Sequence, residues 1–452
     1  MRGGTVLAMA SSRESEMTIR IESRGPRLDD RCVEQDTRAV THLAPAGRSR
    51  RRTHAFALLA LALVACAADQ NASDVEETTP GATNTDRPSG LAGTSSSSGG
   101  PETAPGKPGQ EAPLPPCDDK ETAALQTTLD GSHDVKRTDV VLSIKTACGI
   151  RFFSSGPSKL PATTLHRIAS ITKTHLASVV LELYADGLLS LSDPVSKWFA
   201  NVPGGDAIHV EHLLWQTSGL AAYEESLSFQ AGAAARRKWE RSELIDFSFK
   251  ARTKFAPGTS WEYVNVNYVM LGVIAEKASG KTLATLLRER IFQPLGLTAT
   301  FSDGDEPFVG DLAVGRSIEG RDVSNSVEPS TFWGAGHLVG TPGDVVTWIE
   351  KRGNGEFHNA KLEPEFKKLI AWKPARPGWK YGPGTIELDG TVTSGGGPGY
   401  GHGGDLPGYH SMAFYFPDKR TTVVMINDSD GVTGDAFRRP FFDTLKTLFG
   451  GK

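Results

Sequence analysis

The order of patterns along this chain predicts an α+β fold: an antiparallel sheet assembled from distant segments, flanked by helices and carrying an inserted, mainly helical lobe. Three observations carry the prediction. Residues 140–153 read as a β-hairpin, residues 410–426 read as a second strand pair, and the stretch from about 190 to 320 between them is rich in helical spacings and turns.

Taken in order, the chain opens with residues 1–65, an N-terminal extension ending in an export signal. Arg48, Arg50, Arg51 and Arg52 precede an unbroken apolar run from Ala55 to Ala65, the layout of a secretory leader. Eleven residues rise only about 16 Å as a helix, roughly half of a ~30 Å hydrocarbon core, so a spanning helix does not fit. The run closes on Leu63-Val64-Ala65-Cys66, which resembles the lipobox of bacterial lipoproteins. That resemblance implies that Cys66 carries a lipid and becomes the first mature residue, anchoring the protein to a membrane of the bacterial cell envelope. An ordinary cleavage site after small residues is the alternative. Met1, Met9 and Met17 all lie far upstream of the apolar run, so the expected start of translation lies later, at a non-methionine codon, which would leave Cys32 out of the protein.

Residues 66–116 follow as a tether. They are rich in Ser, Thr, Gly, Pro and acids, with Val75, Leu91 and Leu114 as the large aliphatics after Cys66. Such a stretch cannot build a core, and a flexible chain of roughly fifty residues spans about 40 Å. The globular body is then residues 117–452. Residues 1–66 hold 11 Arg and 7 acids, so of the formal charge of −4 they contribute +4 and the rest −8. An acidic body with no Lys/Arg run gives no footprint for phosphate backbones, which argues against a nucleic-acid partner. In an oxidising compartment Cys117 and Cys148 can pair; two buried free thiols are the alternative.

Within the body, Val140, Val141, Leu142 and Ile144 form one strand, Ala147-Cys148-Gly149 a break, and Ile150, Phe152 and Phe153 the return. Residues 171–186 place Leu176, Val179, Val180, Leu183 and Tyr184 at helical spacings, with Asp186-Gly187 as the stop. Val266–Lys277 and Leu283–Arg290 are helical stretches of the lobe. His410–Phe416 and Thr421–Ile426 are strands joined by Pro417-Asp418-Lys419-Arg420, and Arg438–Phe449 is a closing helix.

Three short elements carry chemistry. Ser170-Ile171-Thr172-Lys173 sets a serine and a lysine one helical turn apart, so the amine comes within hydrogen-bonding reach of the hydroxyl. Alone this is weak, since a helix-capping Ser and an exposed Lys are ordinary. Its surroundings are more specific. His166-Arg167-Ile168-Ala169-Ser170-Ile171-Thr172-Lys173-Thr174 resembles the nucleophile segment of the serine β-lactamase and penicillin-binding protein family, in the branch of class C β-lactamases, D-alanyl-D-alanine carboxypeptidases and related esterases. Leu188–Trp198, Leu213–Leu220 with its Thr217-Ser218-Gly219-Leu220 turn, and Phe255–Gly258 also match, so the resemblance spans about residues 135–445.

The second element, Tyr263-Val264-Asn265, resembles the family's Tyr-x-Asn. It implies that Tyr263 shuttles the proton between Ser170 and the leaving group, while Asn265 holds Lys173 and the substrate amide. A phenol of ordinary pKa about 10 needs nearby cations to lower it for base work, and Lys173 is the expected one. The third, His402-Gly403-Gly404, stands where the family has Lys-Thr-Gly or His-x-Gly, and the resemblance implies that the N–H groups of Ser170 and Asp405 form the oxyanion hole. Gly403 lacks the hydroxyl that grips a substrate carboxylate, His402 is cationic only when pH permits, and Val264 replaces a common serine. These departures weaken the expectation of efficient β-lactam hydrolysis.

Other motifs carry less. Gly399–Gly404 fits G-x-G-x-x-G without a strand–turn–helix context, Gly280-Lys281-Thr282 lacks the first Walker glycine, and neither G-x-S-x-G nor H-E-x-x-H occurs. His212, His337 and His410 read as packed or surface residues rather than ligands. No metal and no cofactor are implied. The resemblance implies an exported serine hydrolase working through a Ser170 acyl-enzyme, of the D-alanyl-D-alanine carboxypeptidase or β-lactamase type, on small molecules or peptidoglycan peptides. A carboxylic esterase or D-amino amidase of the same fold is the alternative, and a non-catalytic envelope binding protein a third.

Overall fold

The computed structural model describes residues 114–357, 362, 373–376, 379–431 and 434–451. The expected signal segment, Cys66 and all but the last three residues of the expected tether lie outside the described residues. Among the described residues no helix is long and apolar enough to cross a membrane.

The hairpin legible near the start of the body is β1 (Val140–Thr146) and β2 (Gly149–Ser155), paired from Val140↔Ser155 to Thr146↔Gly149. Its turn closes through Gly149, whose φ of 109° disfavours any side chain. The hairpin near the other end is β10 (Tyr409–Phe416) and β11 (Thr421–Asn427). These two hairpins join directly: β11 pairs with β1, Val140 opposite Asn427 and Val141 opposite Ile426. The sheet then continues through β9 (Gly399–Leu406), β8 (Thr385–Leu388), β7 (Trp379–Gly382) and β6 (Lys373–Arg376), giving the order β2-β1-β11-β10-β9-β8-β7-β6, all antiparallel. The fold is α+β, as the order of patterns in the sequence predicts.

Period-two alternation sends the two sides of each strand into separate cores. Val140, Leu142, Ile144, Met412, Phe414, Phe416, Val423 and Met425 pack under α1 (Asp119–Gly131) and the closing helix α9 (Arg439–Phe449), meeting Leu125, Leu129, Phe441 and Leu445. Helix α1 had no counterpart in the sequence reading, yet its start is a clear cap: the Asp118 carboxylate accepts from the backbone N–H of Lys120 and Glu121. Cys117, just before that cap, is disulfide-bonded to Cys148 in the β1–β2 turn. On the opposite side Val141, Ala413, Val424 and Ile426 pack toward α2 (Thr172–Ala185) and α8 (Pro342–Gly353). Truncating a fully buried leucine such as Leu125 costs about 2–5 kcal/mol.

Helix α2 differs from an amphipathic surface helix. Every residue from Thr172 to Leu181 is buried, because α2 lies between the sheet and the helical lobe rather than against one of them. It ends at Asp186, followed by Gly187 at φ 73°. The lobe consists of α3 (Val210–Leu214), α4 (Leu227–Ala234), α5 (Arg241–Lys250), α6 (Asn265–Ser279) and α7 (Leu283–Leu287). Helix α6 packs on α2, with Val266, Tyr268, Val269, Met270 and Leu271 all buried. A small second sheet, β3 (His166–Arg167), β5 (Leu338–Gly340) and β4 (Thr300–Ser302), pairs Arg167 with Val339 and Phe301 with Val339. Strands of two or three residues leave no periodicity to read. This one nevertheless fixes the segment that enters Ser170.

Candidate active site

Ser170 lies in a single 3-10 turn, Ala169–Ile171, that feeds α2. The preceding Ala169 has φ 47°, an unfavourable left-handed conformation for a residue with a Cβ. Two glycines hold it: a Cβ on Gly336 would meet the Ala169 carbonyl carbon at 3.5 Å, and a Cβ on Gly404 would meet the Ile168 carbonyl oxygen at 2.4 Å. The Ser170 turn is thus gripped between β9 and the segment entering β5.

The one-turn spacing does bring the amine to the hydroxyl. Lys173 Nζ donates to Ser170 Oγ at 3.0 Å, to Asn265 Oδ1 at 2.7 Å and to the Ala335 carbonyl at 2.8 Å. Lys173 is fully buried at 0% exposure. Burial disfavours its charge and outweighs the opposing charge of Glu224, leaving its pKa at about 7. A neutral amine is therefore available near neutral pH, the condition for taking a proton from Ser170.

Asn265 is the first residue of α6, and its Nδ2 donates to Glu224 Oε1 at 2.7 Å. The Tyr263 ring sits 4.8 Å from Lys173 Nζ and the Tyr268 ring 5.6 Å from it. Contrary to the sequence expectation, Lys173 does not make Tyr263 acidic. Burial raises the phenol well above its ordinary value, Tyr381, Asp405 and Glu224 add to this, and the interaction with Ser170 opposes it. Among the described residues the Tyr263 hydroxyl has no partner within hydrogen-bond geometry, so its contact with Ser170 is loose. Tyr263 is a neutral phenol, suited to give a proton rather than to begin by removing one.

His402, on β9, is also different from a lysine-like cation. Its Nδ1 is 2.5 Å from the Gly403 carbonyl and its Nε2 3.4 Å from the Tyr381 hydroxyl. A carbonyl only accepts, so Nδ1 holds the proton and Nε2 accepts from Tyr381. Burial, and then the charge of Lys173, bring its pKa to about 3. The ring is neutral at physiological pH, with both nitrogens engaged. Gly404 faces the Ser170 segment as described, and Asp405 follows it on the same strand. The Asp405 side chain, 51% exposed, pairs with His410 at 3.0 Å and Arg438 at 3.6 Å.

Ser170, Lys173, Tyr263, Asn265 and His402 therefore share one locality, with Gly404 and Asp405 on its wall. Sequence reading missed Glu224, Tyr381 and the Ala335 carbonyl. Glu224 had a faint signal, an acid ending the apolar Leu220-Ala221-Ala222-Tyr223 run; a backbone carbonyl has none. The G-x-G-x-x-G segment is interior to β9, and Gly280-Lys281 forms the end of α6, at Gly280 φ 72°. His410 is clamped between Asp405 and Asp430. His209, Glu211 and His212 place ligand atoms within 4.8 Å of one another, but His212 Nδ1 accepts the His209 backbone N–H at 3.0 Å, capping α3. A cation there would compete with that cap.

A family model described as Beta-lactamase matches residues 149–446. The D-alanyl-D-alanine-carboxypeptidase/endopeptidase AmpH of Escherichia coli (strain K12) is 28% identical over 219 residues, 46% of this chain and 54% of that protein. Esterase EstB of Burkholderia gladioli is 28% identical over 275 residues, 51% of this chain and 69% of that protein. The chain thus spans a little over half to about two thirds of the length of these curated relatives. Among solved structures, the D-stereospecific amidohydrolase from Streptomyces sp. has a TM-score of 0.63 at 26% identity, covering 71% of this chain and 98% of its own. The D-amino acid amidase from Ochrobactrum anthropi SV3, complexed with D-phenylalanine, has a TM-score of 0.65 at 25% identity, covering 73% and 99%.

Proposed function

The chain belongs to the beta-lactamase family of serine hydrolases, and from that premise we propose that it hydrolyses amides or esters of D-amino acid type whose leaving group carries no carboxylate. In the reaction, the Ser170 hydroxyl passes its proton to neutral Lys173 as Oγ bonds to the carbonyl carbon. The oxyanion is held by the N–H groups of Ser170 and Asp405. Tyr263 gives its proton to the leaving nitrogen or oxygen and regains one from the Lys173 ammonium, so the proton that Ser170 gave up departs with the leaving group while Lys173 and Tyr263 return to their starting states. Water then attacks the acyl-enzyme, its proton taken up by the same pair and returned to Ser170.

One observation carries the choice of leaving group. The side chain in the third motif is His402, neutral and engaged on both ring nitrogens, so it offers neither a charge nor a free N–H to a substrate carboxylate. Gly403 and Val264 supply no hydroxyl in its place. The likeness to D-amino acid amidases supports the acyl side of the assignment. A D-alanyl-D-alanine carboxypeptidase, expected from the sequence, is the second reading, favoured by the similarity to the AmpH protein. Export and lipid attachment at Cys66 stand as proposals resting on residues 48–66.

The test compares D-phenylalanine amide, a D-amino acid nitrophenyl ester and a peptide ending in D-alanyl-D-alanine, with Ser170→Ala as control. Turnover of the amide and ester at least tenfold above that of the peptide, with a Ser170-dependent covalent adduct, is expected. Faster cleavage of the peptide would establish the carboxypeptidase instead. Turnover that survives Ser170→Ala would remove the nucleophile.

A further inference from the structure

Glu224 belongs to no catalytic motif, yet it ends a chain of contacts that reaches the nucleophile. It lies in a 3-10 turn, Tyr223–Glu225, and is 9% exposed. The turn is tied down on three sides: Tyr223 donates to the Thr331 carbonyl at 2.8 Å, Gln230 Nε2 donates to the Glu224 carbonyl at 3.0 Å, and Lys254 pairs with Glu225 at 2.7 Å. From this fixed position Oε1 accepts from Asn265 Nδ2 at 2.7 Å, Asn265 Oδ1 accepts from Lys173 Nζ at 2.7 Å, and Lys173 reaches Ser170 Oγ at 3.0 Å.

The chemistry of each link sets the next. Burial raises the pKa of the Glu224 carboxyl, while the bond from Asn265, a backbone N–H, the charge of Lys173 and Tyr223 work against that rise; as a carboxylate it can only accept, so Asn265 turns its NH2 to Glu224 and its oxygen to Lys173. Without the carboxylate, the amide is free to flip and present N–H groups to an amine that needs an acceptor. The chain also carries charge. Around Lys173 stand the rings of Tyr263 and Tyr268, neutral His402, the Ala335 carbonyl and Asn265, and the charge that acts on it is that of Glu224. The Asp405 carboxylate is turned to His410 and Arg438.

We propose that Glu224 is a positioning residue which, acting through Asn265, holds Lys173 on Ser170 and supplies the countercharge for the lysinium formed when Ser170 gives up its proton. It does for the Lys–Ser pair what a carboxylate behind a histidine does in a serine triad: it fixes the orientation of the base and stabilises the base's protonated form. The proposal rests on the reading of Lys173 as the base.

The experiment is the pH profile of kcat/KM for nitrophenyl ester hydrolysis by the wild type, Glu224→Gln and Glu224→Asp, with thermal melts of each. The wild-type profile should rise through an acid limb near pH 7 as Lys173 loses its proton. Gln keeps an acceptor for Asn265 but removes the charge that holds the lysine proton, so its limb should move down by about half a pH unit or more, with kcat falling about tenfold and KM little changed. Asp keeps the charge on a shorter arm, so its kcat should fall while its limb stays at the wild-type pH. An unshifted limb and wild-type kcat in Glu224→Gln would overturn the proposal. If Glu224→Gln does not fold, the Asp variant decides: a limb displaced along with the loss of kcat overturns the countercharge role. A wild-type profile with no limb near pH 7 overturns the base assignment, and the Glu224 role with it.

Discussion

Replacing Gly404 by alanine puts a carbon 2.4 Å from the Ile168 carbonyl oxygen, 2.5 Å from Ser411 Oγ and 3.0 Å from Ala169 Cβ. Carbon and oxygen do not sit that close, and the nearest atom is backbone, which cannot swing aside like the end of a long side chain. Relief requires β9 and the Ser170 segment to part by about 0.6 to 1 Å, judged against contacts of about 3.0 to 3.4 Å. The displaced strand carries the Asp405 N–H, so the proposed oxyanion hole would open by a similar amount. A misplacement of about 1 Å costs on the order of 10²-fold in rate, or about 2.7 kcal/mol of barrier. Gly403 supplies the internal control: a Cβ there meets nothing closer than the Ser411 carbonyl at 3.3 Å and Met412 Sδ at 3.5 Å. Acylation by a nitrophenyl ester, followed by adduct mass and product release, should fall about a hundredfold in Gly404→Ala. It should stay within about threefold of wild type in Gly403→Ala. A thermal melt separates loss of the site from loss of the fold. Gly404→Ala retaining near-wild-type acylation, or Gly403→Ala losing as much, would refute the reasoning.

Three further outcomes follow from the same geometry. If Tyr263 serves as proton donor to the leaving group, Tyr263→Phe should lower amide hydrolysis by about 10²–10⁴-fold but nitrophenyl ester hydrolysis far less, since nitrophenolate leaves without protonation; equal losses would contradict that role. Burial alone would lower the pKa of His410, but its bonds to Asp405 and Asp430 outweigh this and raise it from 6.5 to about 9. Its stabilisation is thus fully present below about pH 6.5 and is lost as pH rises through about 9, with an upper limit of about 3 kcal/mol that the half-exposed Asp405 reduces. Urea titrations at pH 6, 8 and 10 should show the gap between wild type and His410→Gln narrowing with pH; a constant gap would remove the charged clamp. The disulfide between Cys117 and Cys148 spans 31 residues, a loop whose closure in the unfolded chain is worth about 3–4 kcal/mol. The double Ser variant should lose a comparable amount in equilibrium denaturation, and an unchanged midpoint would show that the crosslink adds no stability.

The parts of the fold that could be read from the sequence are those whose signal is local. The alternation in Val140–Phe153 and His410–Ile426 gave both hairpins their places, and observed β10 and β11 begin and end within one residue of that reading. The helix after Ser170 was visible in its spacing and its Asp186-Gly187 stop. Strands β6, β7 and β8 were not visible, because short segments such as Thr385–Leu388 take their pairing from β9 rather than from a pattern of their own. The three-residue step from Ser170 to Lys173 fixed their shared helix face before any tertiary contact was known.

What the sequence determined by itself is which chemical groups this protein has and which of them lie one helical turn or one strand step apart. Tertiary structure decided their states. Lys173 and Asn265 are 92 residues apart and meet only because α6 packs on α2. The Ala335 carbonyl reaches the same amine from another segment, and Glu224 reaches Asn265 from a third. Protonation likewise depends on the assembled surroundings: burial lowers the pKa of Lys173 to about 7, keeps Tyr263 a neutral phenol and leaves His402 a neutral ring. Periodicity and spacing encode faces, whereas desolvation is produced by the whole packed body, so no local stretch of sequence contains it.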